Sequence, residues 1–170
     1  MSKKGKLIFR ISIALNIILI AVVAWNYMKM NFVMDQVVLT EVQINLVELE
    51  GLIKYQMEDN WSNPNVVTAE LRDILDGISL GITTGEQLGT ISERDKVILT
   101  KLYHRLYQYP TDELYRLATV TEIDQKNFEE LREILRDAGF GLNLQVGVEF
   151  EYFIEKAEKL EKNIEVPLNN

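Results

Sequence analysis

The chain of 170 residues contains no cysteine. Disulfides, thiolate catalysis and cysteine-ligated metal are therefore excluded. It has one histidine, His104, which cannot supply the paired Glu-x-x-His motifs of a di-iron bundle or a histidine-rich zinc site. A lone histidine without a recognisable nucleophile or ligand partner reads as a surface residue. There is no EF-hand loop, no GxxxxGK[ST] and no GxGxxG. Three prolines and no low-complexity tract leave few forced breaks, and no repeat of solenoid type occurs. Glu149, Glu151 and Glu155 are close enough in sequence to suggest paired carboxylates, but read as a solvated acidic face. No cofactor, no metal and no catalytic constellation is expected, so the chain is read as a non-enzyme.

Acidic residues are missing from the first 31 positions, which carry Lys3, Lys4, Lys6, Arg10 and Lys29. The remainder carries 13 basic residues against 26 acidic ones, a formal charge of −13. Such a body is repelled by phosphate backbones, which argues against nucleic acid as a partner.

What is present begins with Leu7 to Trp25, LIFRISIALNIILIAVVAW. As a helix these 19 residues rise about 28 Å at ~1.5 Å each, close to the thickness of a hydrocarbon core. Arg10 lies one turn in and can snorkel towards the headgroups beside Lys3, Lys4 and Lys6. Trp25 and Tyr27 fall where an interfacial aromatic belt belongs. The positive-inside rule then puts the amino terminus in the cytoplasm and the body outside. A competing reading takes Val22-Val-Ala24 as a signal-peptidase site, with the body secreted after cleavage near Ala24. Ser12 and Asn16 are the only polar residues in mid-span; Asn16 is read as tolerated rather than as a contact to a partner helix.

No helix breaker follows Tyr27 until Asn60-Trp-Ser-Asn-Pro64. Leu39, Val42, Leu46, Leu49 and Ile53 repeat at 3-4-3-4 spacing, an apolar seam on one helix side. The membrane helix is expected to run on to about residue 59. Its seam would pack within the chain, with a homodimer through this stalk as the other use. Asn60-Trp-Ser62 also fits an N-glycosylation triplet and is given little weight.

Asn63 and Pro64 read as N-cap and first residue of the next helix, faced by Leu71, Ile74, Leu75, Ile78 and Ile82. Gly77, Gly81, Gly85 and Gly89 then recur every fourth residue. In water, four helical glycines cost about 3–4 kcal/mol relative to alanine. Thr84-Gly-Glu-Gln87 also resembles a capping box, so residues 81–91 are expected to form a connection. Ser92 opens a helix bearing Val97, Ile98, Leu102, Leu106 and Tyr109, ended by Pro110. A short helix is expected over 111–118. Another starts at Thr121 with Asp124 three residues on, faced by Phe128, Leu131, Ile134, Leu135 and Ala138, with Gly139 as C′. Residues 142–152 alternate like a strand, but Leu142, Val146, Phe150, Phe153, Ala157 and Leu160 give an equal helix face. With no partner strand available, a helix over about 143–163 is expected.

The expected fold is all-α: one amino-terminal transmembrane helix continuing into a bundle of about four to five helices. Its parts are a basic cytoplasmic tail (1–6), the span (7–27), a stalk or first bundle helix (28–62), an extracytoplasmic helical domain (63–163) and a frayed tail (164–170). The candidate partner-contact residues are Gly77, Gly81, Gly85 and Gly89 with the tyrosines Tyr103, Tyr107, Tyr109 and Tyr115, dense around Pro110. The expected role is a partner-binding or regulatory module of a membrane or envelope complex, in contact with the bilayer through 7–27. The competing class is a sensor holding a small ligand between its helices.

Overall fold

The computed structural model describes residues 3–113, 116–141 and 149–168. All regular structure among them is helical. α1 (Lys3–Val38) passes through a π-helical turn (Leu39–Gln43) into α2 (Ile44–Glu58). α3 is Asn65–Leu88, α4 Glu93–Leu106, α5 Glu122–Ala138 and α6 Phe150–Asn163. The chain divides into two units, Met1–Val33 and Met34–Asn170.

The first unit is helical throughout its described residues, and every residue from 6 to 29 is exposed. Its length and apolar composition make it a candidate membrane span. Lys29 lies over the Trp25 ring, 5.4 Å from its centroid.

The second unit is a bundle. α2 packs on α3 and α5, α4 packs on α3 and α6, and α5 packs on α6. The seam anticipated from spacing is spent inside this bundle: Val42, Leu46, Leu49 and Ile53 are buried, with Leu39 half-buried at its upper end. Apolar faces of the other helices join it, through Leu71, Ile74 and Ile78 of α3, Leu102 and Leu106 of α4, Phe128, Leu131 and Leu135 of α5, and Phe153, Ala157 and Leu160 of α6. Val97 departs from its expected place: it is half exposed, and Leu99 takes the buried position.

Local chemistry sets most boundaries. Asn60 and Trp61 adopt φ of 51° and 55°, which ends α2. Ser92 Oγ accepts from the Asp95 amide at 3.2 Å and starts α4. Thr121 and Asp124 form a reciprocal capping box at α5. Gly139, at φ 97°, closes α5 by the αL route. The other end of the third helix differs from expectation: α3 starts at Asn65, and the Asn63 amide is satisfied by Gln56 Oε1 at 2.9 Å rather than Asn63 capping the helix.

Two larger expectations are corrected. Residues 81–88 continue α3 and are not a connection; the turn comes only at Gly89, which takes φ 65°. Thr90 N–H donates to Gly85 C=O at 3.0 Å and Gly89 N–H to Glu86 C=O at 3.2 Å, a Schellman closure. Gly77 and Gly85 are held in the helix because their missing side chains make room for close packing. Residues 111–113 and 116–118 form no helix either. Glu113 and Arg116 instead form a bridge, exchanging backbone hydrogen bonds of 2.9 and 3.2 Å. Asp112 fixes it, its Oδ1 accepting from Thr68 Oγ1 at 2.8 Å and from the Ala118 amide at 2.9 Å. The last helix is confirmed over Phe150–Asn163, while the ambiguous stretch 142–148 lies outside the described residues.

Candidate contact surface

The glycine ridge is placed against its own chain. Gly77, Gly81 and Gly85 are buried. A Cβ on Gly77 would overlap the Glu41 carbonyl, lying 2.8 Å from the carbonyl carbon. Glu41 belongs to the π turn, so the wide turn and the bare helix face meet backbone to side. A Cβ on Gly85 would lie 2.8 Å from Ile91 Cβ and 3.2 Å from Met34 Cε. At Gly81 the nearest atom is Val38 Cγ2, at an ordinary 3.6 Å. Gly89 is exposed and has open space around it.

The tyrosines separate. Tyr109 is in the core, its ring centroid 5.3 Å from that of Phe128, and burial pushes its phenol above the ordinary range. Tyr103 is half-buried and Tyr107 is 61% exposed. Four residues apart, one on α4 and the other at its carboxyl-terminal cap, they stack with centroids 5.9 Å apart and planes 10° from parallel. His104, exposed, meets the Tyr103 ring edge-on at 5.6 Å. Arg72 of α3 stands in electrostatic range of Tyr103, donating to Asp112 C=O at 2.8 Å and pairing with Asp76 at 3.0 Å. Tyr115 lies outside the described residues. Beyond Tyr109 the chain lines an open groove of about 310 Å³ between Pro110 and Thr119. Tyr103, Tyr107 and this groove thus follow one another along α4 and the loop after it.

The anchor residues Lys3, Lys4, Lys6, Arg10, Trp25 and Tyr27 are all exposed.

Several polar residues that spacing did not single out sit inside the bundle. Glu50 of α2 is 1% exposed and pairs with Arg132 Nε at 2.9 Å and Arg136 Nη1 at 3.3 Å, both from α5. Glu161 of α6 is buried beside Arg105 of α4, N–O 3.1 Å. The Asp35 carboxylate accepts from the Phe150 amide at 3.0 Å and so caps α6 from another helix. Trp61 Nε1 donates to Glu129 at 3.2 Å, tying the α2–α3 turn to α5. Glu70 of α3 is half-buried, with Oε1 enclosed and without a hydrogen-bond partner. Burial, then the neighbouring charges of Glu48 and Asp73, push its carboxyl up to about 7. No periodic signal marks these residues, because a charged residue at a core position reads as a fault in the apolar pattern until its partner is known.

Among the described residues no group of three or more histidine, aspartate or glutamate side chains is arranged to hold a metal ion. Glu149, Glu151 and Glu155 are exposed. Compared with protein-family models, with curated proteins and with solved structures, the chain matches none.

Proposed function

We propose that this chain is a single-pass membrane protein, amino terminus in the cytoplasm, whose acidic helical body is a non-catalytic module binding another membrane or envelope protein. One observation carries the reading. The fold buries an apolar core in its bundle but leaves residues 6–29 uncovered from end to end. An apolar helix that its own chain leaves bare needs a different solvent, and its length fits a bilayer. Lys3, Lys4, Lys6 and Arg10 at its start, against Lys29 alone shortly after it, support the orientation.

The stacked pair Tyr103 and Tyr107 is the contact face we assign to the body. Large, stiff aromatic rings bind with little loss of conformational entropy, and Tyr107 is available to do so.

Two measurements test this. Replacing Lys3, Lys4 and Lys6 with glutamate should disturb or invert protease protection of the body in sealed vesicles; unchanged protection would refute the orientation. A photocrosslinking amino acid at position 107, in intact cells, should capture one reproducible partner. The same probe at Tyr55, equally exposed at 59%, should not. Equal capture from both positions would remove the tyrosine face from the assignment. The mass of the recovered chain reports whether residues 1–24 have been cleaved.

A further inference from the structure

The one polar stretch of the apolar helix lies on a single face. Ser12 and Asn16 are one turn apart, and with Ile8, Ile11, Leu15 and Leu19 they make up one exposed face of the helix. Asn16 Nδ2 donates to the Ser12 carbonyl at 2.8 Å. That bond uses one of two amide hydrogens. The other hydrogen and the side-chain oxygen, with its two lone pairs, remain to be satisfied. In water this is trivial; in hydrocarbon it is not.

We infer that this face is where two copies of the chain associate within the membrane, through a reciprocal Asn16–Asn16 hydrogen bond flanked by Ser12, Leu15 and Leu19. The inference rests on the membrane-spanning reading above. Two physical features select a second copy as the occupant. A carboxamide donates and accepts at once, so two of them pair across a two-fold axis without any other chemistry. A second copy inserted in the same orientation also carries its amide at the same depth, which an unrelated helix matches only by coincidence. The other self-pairing surface, the seam of Val42, Leu46, Leu49 and Ile53, is already consumed inside the bundle. Interhelical hydrogen bonds and close side-chain packing are what drive association once helices are in lipid.

The absence of native cysteine makes the test clean. Single cysteines are introduced in the full chain at Ser12, Leu15 or Leu19 on this face, and at Ile17 or Ala21 on the opposite one. Membranes are oxidised, and half of each sample is extracted with alkaline carbonate. Disulfide dimers from positions 12, 15 and 19 but not from 17 and 21 are expected. Adding Asn16→Leu should lower the Leu15→Cys dimer about fivefold, as loss of the interhelical amide pair implies, and Asn16→Gln should restore much of it. A chain that resists extraction yet crosslinks equally on both faces, or not at all, or is indifferent to Asn16→Leu, overturns the inference alone. A chain that extracts into the soluble fraction overturns the membrane reading with it.

Discussion

Gly77 and Glu41 meet where the bare side of one helix lies on the carbonyl of another, with no room between them for a methyl group. The contact joins two local irregularities. The π turn of Leu39–Gln43 widens one helix, and the missing side chain at Gly77 narrows the other. Each weakens its own helix, and the close packing between them offsets the loss.

The glycines should therefore respond in different directions to alanine. Gly77→Ala meets fixed backbone, so overpacking of about 1–3 kcal/mol exceeds the ~1 kcal/mol gained in helix propensity. Gly81→Ala meets only an ordinary contact with Val38 and should stabilise by up to ~1 kcal/mol. Gly89→Ala places a side chain at φ 65° and should destabilise by about 1 kcal/mol despite open space. Denaturation midpoints of the three variants in detergent micelles order them. A stabilised Gly77→Ala would show that the π turn yields.

Glu50 should be the most sensitive charged position in the bundle. At 1% exposure its carboxylate is compensated by Arg132 and Arg136. Glu50→Gln keeps the volume but removes the buried charge opposite Arg132, which keeps only the exposed Glu133 as an ionic partner at 2.8 Å, at a cost of about 3 kcal/mol. Arg136→Ala, whose side chain is 48% exposed, should cost much less. Urea unfolding of both variants separates the two roles; equal losses would argue against burial as the cause.

Glu70 gives stability a distinct pH dependence. Its folded carboxyl titrates at about 7, above the unfolded value of 4.5, so the folded state binds this proton more tightly. The contribution is fully present below pH 4.5 and is lost as pH rises through about 7. Glu70→Gln should flatten that part of the profile and be more stable than the parent chain at pH 8. Unfolding midpoints at pH 5, 6, 7 and 8 check it, and parallel profiles for the two proteins would exclude Glu70 as the titrating group.

Asp35 should control the start of α6. The Glu149 side chain at the N-cap position makes no capping hydrogen bond, and the Phe150 amide is held by the Asp35 carboxylate. Asp35→Ala should cost about 1 kcal/mol, like loss of an ordinary N-cap. Amide hydrogen exchange should quicken at Phe150 and its neighbours, leaving α5 protected. Uniform acceleration across the bundle would point to a global role for Asp35.

The sequence by itself determined what depends on near neighbours. The caps at Ser92 and Thr121, the αL turn at Gly139, the apolar faces of α3 and α5 and the long run of the first helix all rest on residues within one or two turns. Its reading failed where a local cost is offset by a distant contact. Gly81 and Gly85 look like a break because Val38 and Met34, which receive them from the first helix, are invisible in the local pattern. The bridge between Glu113 and Arg116 is held by Asp112 through Thr68, more than forty residues earlier. Periodicity put Tyr109 on the apolar face with Leu102 and Leu106, but only the tertiary structure decided that Tyr103 and Tyr107 stack with each other and stay outside the core. Packing against Phe128 removes Tyr109 from the surface and leaves the Tyr103–Tyr107 stack upon it. Burial is a property of the neighbours brought to a residue, and for these residues the neighbours come from other helices.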